Sequence, residues 1–237
     1  MKRLLVPFVA LLLAANAPGE QVADLLDADK DAEALAAVEE AAGAGDADAI
    51  AMLGSFYEEG RFVEQDAGRA AALFRSAAEK GHANAQWRLG VMIDEGRADG
   101  TLAEALSLFR QSSEQGNSDA MTSLAVMYAG GRGVTQDFAE ARKYYAMAAK
   151  NGNSNGLKGL GVLYYGGEGV AADQVEAMAY WLVALTAGNQ ASSGYYQAVS
   201  QSFDDHELHA VINRANELAE EYGYPGGFTP WNVSDED

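Results

Sequence analysis

Apolar residues in the chain fall on helical faces, and the same faces recur at a fixed interval. Ala49, Leu53 and Tyr57 are spaced i, i+4, i+8, which places them on one side of a helix. Ala70, Phe74 and Ala77 with Ala78 form a second such stripe. A turn separates the two, spelled "GGRGVTQD" and "GGEGVAAD" in its cleanest copies. The pattern predicts two short antiparallel helices joined by a glycine-rich turn. It then repeats. Leu53, Leu89, Leu124 and Leu160 lie 36, 35 and 36 residues apart. Each of these leucines is followed four residues later by Tyr57, Ile93, Tyr128 or Tyr164, and then by Gly60, Gly96, Gly131 or Gly167. The second stripe returns as Ala70, Ala105, Ala141 and Ala177, each with an aromatic four residues on: Phe74, Phe109, Tyr145 and Trp181. One helical hairpin cannot bury its own apolar face, so stacked copies that share a core are expected.

The element ends are written into the same period. Asp66, Asp137 and Asp173 stand four residues before the alanine of the second helix and suit N-caps. The second unit is one residue short; its Thr101 and Glu104 have the spacing of a capping box. Gly81, Gly116, Gly152 and Gly188 close the units, and His82, Asn117, Asn153 and Asn189 follow them as caps for the next helix. Phe62 stands where the third and fourth units carry the second turn glycine, and the second unit has lost the Gly-Val-x2-Asp turn.

The order Ala-x3-Leu-Gly-x2-Tyr, Gly-x-Gly-Val-x2-Asp, Ala-x3-Tyr/Trp, Ala-Ala and Gly resembles the Sel-one-like repeat, a relative of the tetratricopeptide repeat. Residues 120–153 are the cleanest copy, and the resemblance covers residues 49–189. It implies an all-α fold, an α-solenoid of stacked antiparallel helix pairs. The expected organisation is a signal peptide over 1–19, an acidic helical cap and half repeat over 20–45, and four repeats over 46–189. Capping helices over 190–222 and an acidic flexible tail over 223–237 complete it. In the tail, Phe228 and Trp231 are expected to fold back onto the last helix.

Composition narrows the function. The chain has 237 residues, no cysteine and a formal net charge of −19. Residues 20–48 hold ten acids against one base, and residues 204–237 nine against one, while the middle is balanced. Such ends repel phosphate backbones and anionic lipid, so nucleic-acid and membrane-surface binding are disfavoured. Lys2 and Arg3 precede an apolar run and the small residues Ala15 and Ala17, the order of an export signal. The mature chain is therefore expected to be periplasmic or secreted, with no membrane insertion after cleavage. The lack of cysteine excludes thiol nucleophiles, thiolate metal sites and disulfides.

Little chemistry is encoded. His206 and His209 are three apart rather than at the metalloprotease spacing, and read best as part of a polar helix start. The glycine-rich turns lack the Lys-Ser/Thr of a phosphate loop, and no Ser-x-x-Lys motif is present. No catalytic residue, cofactor or metal is expected. The resemblance implies a non-enzymatic scaffold or adaptor in the bacterial envelope, a monomer that binds a protein partner. A periplasmic regulator of a sensor kinase is the alternative, and a groove-binding envelope enzyme or small-ligand binder is the reading from another class. In related helical repeats the first helix of each unit lines a concave face. Positions two before and two after the leucine are then exposed. They nominate Trp87, Val91, Val126, Lys158 and Val162, with Tyr165 extending the stripe, as the binding groove. The competing reading is that the three valines only pack neighbouring helices.

Overall fold

The structure, a computed structural model, describes residues 31–229. The signal segment and Trp231 lie outside the described residues. Among those described there are eleven α-helices and no strand. A first helix, α1 (Asp31–Gly43), precedes four hairpins: α2 (Ala47–Glu59) with α3 (Ala67–Glu79), α4 (Ala83–Asp94) with α5 (Leu102–Glu114), α6 (Ser118–Gly130) with α7 (Phe138–Lys150), and α8 (Ser154–Gly166) with α9 (Gln174–Thr186). Two further helices follow, α10 (Ala191–Ser200) and α11 (Asp205–Tyr222). The residues divide into two compact units, one ending at Ser112 and one beginning at Ser113 within α5.

The helices start where the aspartates stand. Asp66, Asp137 and Asp173 each accept a first-turn backbone N–H through the side chain. The turn before them is pinned twice. The N–H of Asp66, Asp137 and Asp173 donates to the carbonyl of Tyr57, Tyr128 and Tyr164, each at 2.9 Å. The side-chain amides of Gln65 and Gln136 reach the carbonyls of Glu58 and Ala129 at 2.8 Å. Gly60, Gly131 and Gly167 end the first helices in the left-handed region, where a Cβ would be strained. Phe62 adopts the same region with φ 65° although it is not glycine. Its ring meets Phe56 edge-on at 4.9 Å and lies beneath the Arg61 guanidinium. That packing offsets the backbone cost of about 1–2 kcal/mol.

The Leu-Gly pair sets the distance between the helices of a hairpin. A Cβ on Gly54 would stand 2.9 Å from the Phe74 ring, and one on Gly90 would stand 2.6 Å from Phe109. Trp181 crowds Gly161 in the same way. The aromatic of the second helix therefore occupies the volume that the glycine vacates. All three rings are buried. The second unit's core is built from Leu157, Leu160, Leu163, Trp181, Val211 and Leu218, among others. In the first unit, Ala34 and Val38 of α1 pack with Phe56 of α2, as expected of a half repeat supplying a missing neighbour.

Two local expectations are corrected. Thr101 caps α5 by accepting the Glu104 N–H at 3.2 Å, but the Glu104 carboxylate turns to Arg75 instead of closing a box. The full capping box lies at Asp204 and Glu207, at the start of α11. Asn189 is not the cap of α10. Its side chain accepts from the Ser192 hydroxyl, and Gln190 begins the helix in a helical conformation without a side-chain cap. The segment after α11 is anchored over its described residues, with Phe228 folded back onto that helix as expected. The Asn216 side chain accepts from the Gly227 and Phe228 N–H groups and donates to the Phe228 carbonyl. Phe228 is buried, and the Tyr224 hydroxyl donates to the Ala149 carbonyl at 3.0 Å.

Candidate functional site

On α8, Lys158, Val162 and Tyr165 fall at i, i+4, i+7 and share a face. Val162 and Tyr165 are exposed, Tyr165 to 49%. Lys158 is half-buried, and its carbonyl accepts the indole N–H of Trp181 at 3.3 Å. That bond fixes the indole where α9 faces α8, with Trp181 only 1% exposed. From α10, Tyr195 stacks on Trp181 with ring centroids 5.1 Å apart at 26°. Tyr165 meets the same indole at 5.6 Å and 48°. Tyr195 is 45% exposed. The three rings, with Ala191, Gly194, Ala198 and Val199, line an open cleft of about 290 Å³. Its tyrosines stand at the rim, its buried tryptophan and valine form the base, and small residues keep it open.

The other nominated residues lie elsewhere. Trp87 and Val91 share one face of α4 in the first unit, and both are half-buried. The Arg88 guanidinium lies 5.5 Å from the Trp87 ring. Val126 is on α6 in the second unit and is exposed. Ala51, which the same register placed at the surface, is buried. Sequence reasoning missed Tyr195 and the role of Trp181 as a platform. The available signal was the pair Tyr195-Tyr196: adjacent helical residues face different sides, so one of two tyrosines had to turn outward. Tyr196 is the buried one.

A second, polar cleft lies among α7, α8, α9 and α11 of the same unit. There Glu176 and Arg214 form a two-bond ion pair at 2.6 and 3.0 Å, and Tyr164 stacks on Tyr180 at 5.6 Å. Burial first, then the hydrogen bond with Tyr222, pushes the Tyr180 phenol upward. The guanidinium of Arg214 is likewise raised, chiefly by its bond to Glu176. Both groups keep one protonation state near neutrality, so they hold α11 to α9 rather than exchange protons. Among the described residues, no group of three or more histidine, aspartate or glutamate side chains is placed to hold a metal. No described helix is long and apolar enough to cross a membrane.

Residues 47–82, 83–117, 118–153 and 155–189 each match the Sel1 repeat, together more than half of the sequence. The chain belongs to the Sel1 repeat family. Sel1 repeats commonly mediate protein–protein interaction, and members are typically non-catalytic scaffolds. Among solved structures, the chain is similar to c5321, a protective antigen of uropathogenic Escherichia coli displaying an SLR fold. The two are 26% identical with a TM-score of 0.74, over 80% of this chain and 41% of that one. This Sel1 repeat chain thus spans about two fifths of that protein's length. It is similar to a Sel1 repeat protein from Oxalobacter formigenes at 23% identity and TM-score 0.71, covering 86% of this chain and 84% of that one. It is also similar to the immunity protein Pa5087 from Pseudomonas aeruginosa at 18% and 0.53, over 93% and 81%. The last two show the fold alone. No curated protein matches the sequence.

Proposed function

We propose that this Sel1 repeat chain is a non-catalytic adaptor of the bacterial envelope that binds a protein partner through the aromatic cleft on α8, α9 and α10. The observation that carries this reading is the pair Tyr165 and Tyr195, nearly half exposed against a buried tryptophan. Tyrosine and tryptophan dominate binding hot spots because they contribute large area at little rotamer cost. A side chain already stacked on a fixed indole loses still less freedom on binding. Val162 and Lys158 continue the cleft's edge along α8. Trp87 with Val91, and Val126, are separate secondary contacts of the same reading. The envelope location rests on Lys2, Arg3 and the apolar run after them.

The test is affinity for a partner isolated on the full chain. Tyr195→Ala should weaken binding by about 2 kcal/mol or more, with helicity and melting temperature retained. Trp87→Ala should have a smaller effect, since its ring is half-buried beside Arg88. Equal affinity of Tyr195→Ala and the parent would remove the cleft from the interface. Amino-terminal sequencing of the exported protein tests cleavage near residues 17–19.

A further inference from the structure

We infer that Asn151 is a site of spontaneous modification: its side-chain amide is lost through a cyclic imide, leaving aspartate or isoaspartate in the link between α7 and α8.

The chain holds two Asn-Gly pairs, Asn151-Gly152 and Asn155-Gly156. Both have the residues the reaction needs. The backbone nitrogen that follows an asparagine attacks the Cγ of that asparagine, and a following glycine leaves the approach unhindered because it has no Cβ. The chain must first turn about the asparagine ψ to bring the two atoms together. Freedom to make that turn separates the two pairs.

Asn155 is held. It lies in the first turn of α8, with helical backbone angles. Its N–H donates to the Asn153 side chain at 3.0 Å, and its Oδ1 accepts from the Asn189 amide at 3.0 Å. The nitrogen that would attack, that of Gly156, donates to the Asn153 carbonyl at 2.9 Å. Gly156 is also buried against α7: a Cβ there would stand 2.5 Å from the Tyr145 carbonyl oxygen and 2.6 Å from the Ala149 nitrogen. Turning Asn155 therefore requires the start of α8 to unwind and lift off α7.

Asn151 is not held in this way. It stands just past α7, at φ −93° and ψ 21°. Asn151 and Gly152 are both exposed, and the space where a Gly152 Cβ would stand is open. The Gly152 N–H donates to the Ala149 carbonyl at 3.0 Å, and the Asn151 amide donates to the Met147 carbonyl at 2.8 Å. The same amide has a long contact of 3.7 Å to the Met121 sulfur, a weak acceptor. The two short bonds belong to the last turn of α7, and helix ends open most readily.

In the reaction the Gly152 nitrogen gives its proton to solvent base and bonds to the Asn151 Cγ. The Cγ–Nδ2 bond breaks, and ammonia leaves with a proton from solvent. Water then opens the imide at either carbonyl. Cleavage at Cγ gives aspartate, and cleavage at the main-chain carbonyl gives isoaspartate, so one water is consumed and one ammonia released. The product carboxylate cannot donate to the Met147 carbonyl. Its charge also stands at the C-terminal end of α7, where the helix dipole disfavours an anion.

The test is mass spectrometry of the full chain aged in warm, mildly alkaline buffer. Trypsin, cutting after Lys150 and Lys158, releases residues 151–158, which carry both asparagines. Fragmentation then places each amide-to-acid change. Asn151 should convert about tenfold faster than Asn155 or more, because Asn155 reacts only when α8 opens. In concentrated urea the two should convert at like rates. Conversion at Asn151 should quicken as pH rises, since the attacking nitrogen must lose its proton, and isoaspartate should appear beside aspartate. Equal rates in the folded chain, or faster loss at Asn155, overturn the proposal. The same preference for Asn151 in urea also overturns it, because sequence alone would then select the site. Asn151→Asp, which carries the product charge from the start, should lower the urea midpoint; an unchanged or raised midpoint would contradict the effect assigned to the carboxylate.

Discussion

At the scale of single residues, one substitution in the repeat pattern has an energetic meaning. Tyr145 occupies the aromatic position held elsewhere by Phe74, Phe109 and Trp181, so a phenol is placed in the core. Burial, and secondarily the Glu168 charge, pushes it up to about 12 from an ordinary 10. Below pH 10 both folded and unfolded chains keep the proton, and the group leaves stability unchanged with pH. Between 10 and about 12 the unfolded chain loses the proton while the folded chain keeps it. Stability therefore falls there by about 1.4 kcal/mol per pH unit for this residue. Urea melts across that alkaline window should show the loss, and Tyr145→Phe should flatten part of it. An unchanged slope in Tyr145→Phe would place the phenol in contact with water. The rim tyrosines show what the sequence hides at this scale. Tyr165 is open to nomination because it lies within a repeat. Tyr195 is not, because α10 follows the last repeat and no copy fixes its register.

At the scale of elements, two of the residues that follow a closing glycine, His82 and Asn153, do two jobs. Asn153 accepts from the Asn155 N–H to start α8, and its amide donates to Asp119 of the preceding first helix at 2.8 Å. His82 accepts from the Ala85 N–H through Nδ1 and reaches Asp48 through Nε2 at 3.3 Å. Asn189 donates to Asn155 at 3.0 Å. Each tie spans 34 residues, so it links one first helix to the start of the next element. The capping half is legible in the sequence at His82 and Asn153, because a polar residue after glycine and before an apolar stripe has a known use. The tie is not, because it depends on how closely successive helices stack. Asn153→Ala should cost about 1–2 kcal/mol, more than Asn117→Ala at about 1 kcal/mol, since the Asn117 side chain caps α6 at Ala120 without such a tie. Chemical denaturation of the two variants side by side checks this. Equal losses would show that the bond to Asp119 contributes nothing. The caps of the second helices divide in the same way. Asp66, Asp137 and Asp173 are readable outright, while the Thr101 box fails because Arg75 draws Glu104 away.

At the scale of the molecule, four matched repeats explain why the fold is legible: every period restates the same two stripes, the same turn and an aromatic at the same place. The site is legible only where it coincides with that period. Lys158, Val162 and Tyr165 come from the repeat. Trp181 reads as core, which it is, but its indole also carries the two rim tyrosines. Trp87 stands out in the sequence as the one aromatic at its position, and it is half-buried beside Arg88. The proposed binding site thus lies on the last repeat and the helix that follows it. Hydrogen exchange of the full chain, free and with a bound protein partner, tests that most directly. Slowed exchange is expected chiefly in residues 158–166 and 191–200, with a smaller effect in α4 around Trp87. Protection confined to α2 to α5, with residues 158–166 and 191–200 unaffected, would contradict it.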